Sequence, residues 1–338
     1  MKAMRRAITL ATSLVATALL GACERPPVES VQRGYRGTGM VQVFNPRIAA
    51  EREALHTAPP DAPAVPSGGD PATTVFKNVQ VLKDLNVAEF TRLMVAMTAW
   101  VSPKEGCAYC HAGSDLASDA VYTKVVARRM IEMTRHVNAD WKSHVGDTGV
   151  TCYTCHRGNP VPDGVWFTDP VGTSAPGYAG SRYGQNAPAR SVALASLPND
   201  PFSVYLQAKG EVRVLGDHAL PTGKGATIQH TEWTYGLMMH MSDSLGVNCT
   251  FCHNSRSFAA WDASTPQRAT AWYGLRLVRD VNNEYIEPLK SVFPRERLGP
   301  AGDAPKASCK TCHQGLYKPL NGAKMLAAHP ELAGGAPK

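Results

Sequence analysis

Past residue 20 the chain contains no apolar run long enough to cross a bilayer, so everything after that point reads as a soluble body. Stray cysteine is scarce too. Eight of the nine cysteines fall into four pairs with a two-residue gap, and Cys23 alone stands apart. No βαβ pattern flanks a pair, which excludes a thioredoxin-like dithiol. Methionine occurs eleven times in all, yet none lies between residues 242 and 324.

What is present is one motif, repeated. Cys107-Ala108-Tyr109-Cys110-His111 is followed by Cys152-Tyr153-Thr154-Cys155-His156, Cys249-Thr250-Phe251-Cys252-His253 and Cys309-Lys310-Thr311-Cys312-His313. C-x-x-C-H is the attachment signature of c-type haem: two thiols add across the porphyrin vinyl groups and the adjacent His supplies the proximal nitrogen. Two cysteine pairs would also close a zinc site, but zinc asks for no His after every second Cys. Disulfides suit an exported chain, but a two-residue gap repeated four times is a poor framework for them. The motifs therefore point to a tetrahaem cytochrome with four covalently bound haem c groups.

Cys23 belongs to a different signal. Lys2, Arg5 and Arg6 precede the apolar run Ile8 to Leu20, and Gly21-Ala22 follows. A basic start, a short apolar stretch and small residues make an export signal. Leu20-Gly21-Ala22-Cys23 resembles a bacterial lipobox, so the expectation is cleavage before Cys23, lipidation of its thiol and a membrane tether. The formal charge of +7 is deceptive. Three positive charges leave with residues 1–22, and eight ionised propionates take the balance to roughly −4, which removes any case for nucleic acid.

The spacing predicts a mainly α fold with long irregular loops, as 29 Gly and 25 Pro require. We divide it into a signal at 1–22, an arm and linker at 23–75, a first dihaem segment at 76–157, a connection at 158–201, a second dihaem segment at 202–318 and a loose tail at 319–338. The dihaem segments read as an internal, pseudo-symmetric repeat. Gly149-Val150-Thr151-Cys152 is echoed by Gly246-Val247-Asn248-Cys249, and the run Met133 to Trp141 by Leu277 to Tyr285. Helices are expected over 88–101, 120–145, 232–245 and 267–292, the last broken near Pro288.

A carrier haem needs a sixth ligand, normally Met sulfur or a second His. Seven Met cluster ahead of the first three motifs: Met94 and Met97, Met130 and Met133, and Met238, Met239 and Met241. The fourth motif has none, and the repeat puts Gly274 where Met130 stands. A His must then serve, from among His56, His136, His144, His218, His230, His240 and His329. His144 lies fourteen residues after Met130, on the same helical face and roughly 21 Å further along if the helix is unbroken.

Together these features resemble the tetrahaem cytochrome subunit of purple-bacterial-type photosynthetic reaction centres. Arg92-Leu93-Met94, Ala127 to Met130, Gly149 to Gly158 and Leu237 to Asn254 carry the likeness. The resemblance implies Met94 as sixth ligand for the haem on His111, Met130 for that on His156, Met238 for that on His253 and His144 for that on His313. It also implies Arg268 as a haem-propionate contact. It further implies a wire in the order third, fourth, second, first, with the third haem nearest the bacteriochlorophyll special pair. The expected function is to re-reduce the photo-oxidised special pair. The partners would be the reaction-centre L and M subunits and a soluble periplasmic donor, a cytochrome c or a high-potential iron-sulfur protein. The place would be the periplasmic face of the inner membrane. The competing class is a multihaem reductase or quinol-oxidising subunit. Such an enzyme keeps one iron open, whereas here four sixth ligands are available for four irons, which favours a carrier over an enzyme.

Overall fold

The structure is a computed structural model and describes residues 27–168, 189–195, 197–198, 200–212 and 228–334. The signal, Cys23 and His218 lie outside the described residues. The arm opens with an antiparallel hairpin of β1 (Glu29–Arg33) and β2 (Met40–Phe44), paired Glu29 to Phe44 through Arg33 to Met40. Helix α1 (Pro46–Leu55) follows, started by the Asn45 side chain and by Pro46, whose fixed φ suits a first turn. Everything else described is helix, short turn or irregular chain.

Helix α2 (Val87–Val101) begins at a capping box, in which the Asn86 side chain accepts from the Glu89 amide and Glu89 accepts from the Asn86 amide. Leu93, Ala96 and Trp100 recur at helical spacing and are its buried stripe. Helix α3 (Tyr122–Asp140) meets the wider turn that follows helix α6 (Pro266–Asp280) through a small cluster of Val137, Val281, Ile286 and Ala304. Helix α5 (Ile228–Leu245) packs Leu237 against Phe202, Tyr205, Leu206 and Leu275. The motif turns α4 (Cys152–His156) and α7 (Cys309–His313) are one helical turn each.

Several expectations change. Within the arm and linker, residues 29–55 form a hairpin and a helix. The Gln42 side chain donates to the Gly246 carbonyl and accepts from the Asn248 amide, which binds the hairpin to the third motif. The tail is not loose through residue 332. Leu320, Met325 and Leu332 join Leu93 and Trp100 in one core, and Arg92 pairs with the buried Glu331 carboxylate at 3.1 Å. The helix expected over 120–145 stops at Asp140, where Trp141 leaves helical geometry, and Lys142–Val145 is a separate turn. The axial distance drawn for His144 from an unbroken helix therefore does not apply. In the second segment regular α-helix ends at Asp280, ahead of Pro288, and continues as a wider turn over Val281–Ile286.

Candidate haem-binding sites

The four motif turns are of two kinds. The first and third are 3-10 turns, Gly106–Tyr109 and Cys249–Phe251, followed by a small loop closed by a bridge, Ala112 to Asp115 or Asn254 to Ser257. The second and fourth are full α-turns. Each starts on a hydroxyl cap, Thr151 with Thr154 or Ser308 with Thr311, and each ends in a left-handed residue, Arg157 at φ 50° or Gln314 at φ 48°.

Matching side chains hold matching turns. Asn138, near the end of α3, donates to the Val150 carbonyl at 2.9 Å and accepts from the Val150 amide at 2.7 Å. Asn282 does the same to Ala307, at 3.0 and 2.7 Å. Val150 and Ala307 each stand two residues before the first Cys of their motif. The Thr123 hydroxyl donates to the Tyr109 carbonyl inside the first motif, and Thr265 donates to the Phe251 carbonyl inside the third at 2.5 Å. Beyond the first turn, Lys124 donates to the carbonyls of Leu116, Ala117 and Ser118 at 2.8 to 2.9 Å. Beyond the third, Arg268 donates to the Ala260 carbonyl at 2.8 Å and lies over the Trp261 ring at 4.1 Å.

All four motif histidines are oriented alike. Nδ1 lies 2.9 Å from the carbonyl of Leu116 for His111, Asn159 for His156 and Phe258 for His253, and 3.0 Å from Leu316 for His313. A carbonyl accepts only, so Nδ1 carries the proton and Nε2 keeps its lone pair, as an iron ligand requires. Burial lowers the pKa of His156 and His253, and takes His313 down to about 4 with help from His144. Burial also pushes the Cys152 and Cys309 thiols up to about 12. Three motifs open onto a single cavity of about 1470 Å³, walled by Met94, Met130 and His144 among mostly apolar side chains. Neutral imidazoles, paired thiols and an apolar chamber fit haem c. One such group would be held by each motif's two cysteines and its His.

The residues expected as sixth ligands divide between the cavity and the second core. Met94 on α2 and Met130 on α3 line the cavity, and Met238 on α5 packs beside Leu237 in the second core. His144 lies across from His313, ring centres 6.0 Å apart at 72°. Two imidazoles bound to opposite sides of one metal at about 2 Å each stand roughly that far apart. Gly274 makes the approach possible, since a Cβ there would stand 2.6 Å from the His144 ring. Its Nδ1 is tied to the Thr270 carbonyl at 2.9 Å. The other described histidines are engaged elsewhere. His136 lies between Asp140 and Asp280, His240 against Phe202 and Ser244, and His329 on Glu331. His56 accepts from the Leu320 amide, and His230 lies against Trp233.

Adjacent turns touch in a definite succession. The Gly158 amide, just after the second turn, donates to the Trp100 carbonyl on the helix that carries Met94, at 2.8 Å. The second and fourth turns grip each other: Arg157 donates to the Cys312 carbonyl at 3.1 Å and Gln314 to the Cys155 carbonyl at 3.2 Å. The fourth reaches the third motif through Gly315, whose amide donates to the Ser244 carbonyl on α5, and through Tyr317 against Phe251. Cys155 and Cys312 are brought together with Cα atoms 4.4 Å apart, an approach absent from the sequence reading. The reciprocal Arg157 and Gln314 bonds were also missed. Their only signal is a polar residue straight after each of those two histidines.

Motif turns, oriented imidazoles and a shared apolar chamber define a c-type cytochrome. The family profile of the photosynthetic reaction centre cytochrome C subunit matches residues 24–333. The chain is 55% identical over 328 residues to the photosynthetic reaction center cytochrome c subunit of Rubrivivax gelatinosus, covering 97% of this chain and 89% of that one. It is 52% identical over 322 residues to that of Thermochromatium tepidum, covering 95% and 79%, and 45% identical over 319 residues to that of Roseobacter denitrificans, covering 90% and 85%. The chain belongs to the photosynthetic reaction centre cytochrome c subunit family and is a haem-c electron carrier of the reaction centre.

Proposed function

We propose that this chain is a tetrahaem carrier that re-reduces the photo-oxidised special pair at the L and M subunits and is refilled by a soluble periplasmic donor. Haem c supplies a one-electron couple at each of four sites, one per C-x-x-C-H motif. His111, His156, His253 and His313 are the proximal ligands. Met94, Met130, Met238 and His144 complete the coordination. Cys155 and Cys312 each form a thioether within their own motif.

The observation that carries the reading is the meeting of His144 with His313 over Gly274, at the one motif without an upstream Met. The succession of contacts supports the order third, fourth, second, first along the wire. The repeated Asn138 and Asn282 clamps, and the alternation of turn types, support two pseudo-symmetric dihaem segments at 76–157 and 202–318. Among the described residues no helix is long and apolar enough to cross a membrane, so attachment to the periplasmic face would fall to lipid on Cys23. Arg268 is assigned to a propionate of the third haem; it already stands beside that motif, with its guanidinium on the Ala260 carbonyl.

Mass spectrometry of the mature protein is expected to show four haem additions and a diacylated N-terminal Cys23. Flash excitation of native membranes is expected to oxidise haem c. A count of two haems, or the absence of flash-induced oxidation, overturns the proposal.

A further inference from the structure

We propose that Arg157 is an electrostatic residue shared by the second and fourth haem sites, raising the midpoint potential of both. The inference rests on the four-haem reading above. Arg157 follows the proximal His156 directly, and its left-handed backbone turns the side chain back across the junction of the two α-turns. Its Nη2 donates to the Cys312 carbonyl at 3.1 Å and its Nε to the Thr154 carbonyl at 3.4 Å. Its Nη1 donates to the Leu55 carbonyl and lies 3.4 Å from Nδ1 of His56.

Every one of those partners is uncharged. His56 is held below its ordinary pKa by burial and then by Arg157 itself, and its Nδ1 also accepts from the Leu320 amide. Among the described residues no carboxylate pairs with Arg157. Of the two arm residues beside the guanidinium, His56 is buried and Leu55 is exposed. A partly buried cation with no carboxylate partner among the described residues is thus fixed between the second and fourth motif turns, less screened than it would be in bulk water.

The sign of the effect follows from charge. Reduction adds one electron to the iron and lowers the charge of the site by one. A fixed positive charge nearby therefore favours the reduced form and raises the potential. The first and third motifs have no such residue in the corresponding place, because their turns end differently and the residues after their histidines are Ala112 and Asn254. At the fourth site the cation opposes the lowering expected of His144 ligation.

Gln314 supplies the design of the test. It occupies the same position after its own motif, at φ 48°, and makes the reciprocal carbonyl bond without charge. Arg157→Gln should therefore keep the fold of the turn and lose only the charge. Redox titration of the purified tetrahaem protein should show two of the four midpoints falling and two unchanged. Arg157→Lys should restore most of the shift. Four unchanged midpoints, or a Lys variant shifted as far as the Gln variant, overturns the proposal. Four midpoints falling together would show general loosening and also overturn it. Each variant is counted for haem by mass first. A wild type with fewer than four haems defeats the underlying reading, whereas four haems with unmoved midpoints defeat only the role of Arg157.

Discussion

The outer and inner motif turns solve one problem in two ways. The first and third are 3-10 turns with an exposed leading cysteine; Thr123 and Lys124 hold the first, and Thr265, Arg268 and the β1–β2 hairpin hold the third. The second and fourth are capped α-turns that lean on each other, with an asparagine clamping the strand of chain before each. Partnership explains the difference. A turn packed against another turn buries its backbone groups, and buried groups need internal partners. A turn at the periphery leaves more of them to water. The inner pair should therefore be rigid and intolerant of polar deletions, and the outer pair forgiving.

The sharpest break of that comparison is at His144. His144→Ala should leave the fourth iron without a sixth ligand and produce one high-spin haem, visible by electron paramagnetic resonance, with three haems unaltered. His144→Met should instead raise one midpoint, since imidazole favours ferric iron more than thioether does. Gly274→Ala should act on the same haem, because the added methyl would stand 2.6 Å from the imidazole. Four low-spin haems with unchanged midpoints in both Ala variants would remove His144 from the site.

Asn282→Ala comes next. Asn282 is fully buried and serves the Leu206 and Ala307 carbonyls and the Ala307 amide. Losing three bonds should cost about 3 kcal/mol, read as a lower denaturation midpoint of the holoprotein. Asn138→Ala should cost about as much, since its amide serves Val150 and Leu332 in the same way. For the outer pair, Thr123→Val and Thr265→Val should each cost about 1 kcal/mol. Equal losses at the Asn and Thr positions would erase the distinction between inner and outer turns.

The smallest effect should be at Asp119, which braces the loop after the first motif through Arg128 at 2.8 Å, Asn78 at 2.9 Å and Lys124 at 3.3 Å. The Arg128 bond leads in holding its carboxyl well below the usual range. A carboxyl lowered on folding contributes stability above its unfolded value near 3.8, and loses it as pH falls towards the folded value. The side chain is two-fifths exposed, so Asp119→Asn should cost under about 1 kcal/mol at neutral pH. Wild type and variant should converge in acid, and a gap that widened there would contradict the assignment.

Much of this was legible along the chain, because it is local. Capping boxes, the buried stripe of α2 and the motif turns follow from neighbours within a few residues. The repeat was legible too. The coincidence of Asn138 with Asn282 in two nine-residue runs marks the side chains that clamp the inner turns. The Gly149 and Gly246 echo was shallower. Both take positive φ, at 60° and 62°, but they precede turns of different kinds. Gly246 directly follows the end of α5, whereas the turn before Gly149 closes at Gly146, so the echo does not mark equivalent positions.

Sequence alone determined the haem-binding chemistry, the absence of sulfur before the fourth motif and the three Met positions, since each depends on residue identity at short spacing. Tertiary structure alone decided which histidine meets His313. The helix breaks at Trp141 and Gly274 lies on another helix, so no periodicity along α3 could bring the two rings together. Tertiary structure also decided that Arg157 and Gln314 clasp each other's turns across more than 150 residues, and that the tail closes the first core through Leu332. These are contacts between segments far apart in the chain, fixed by the packing of apolar faces that local patterns describe but do not pair.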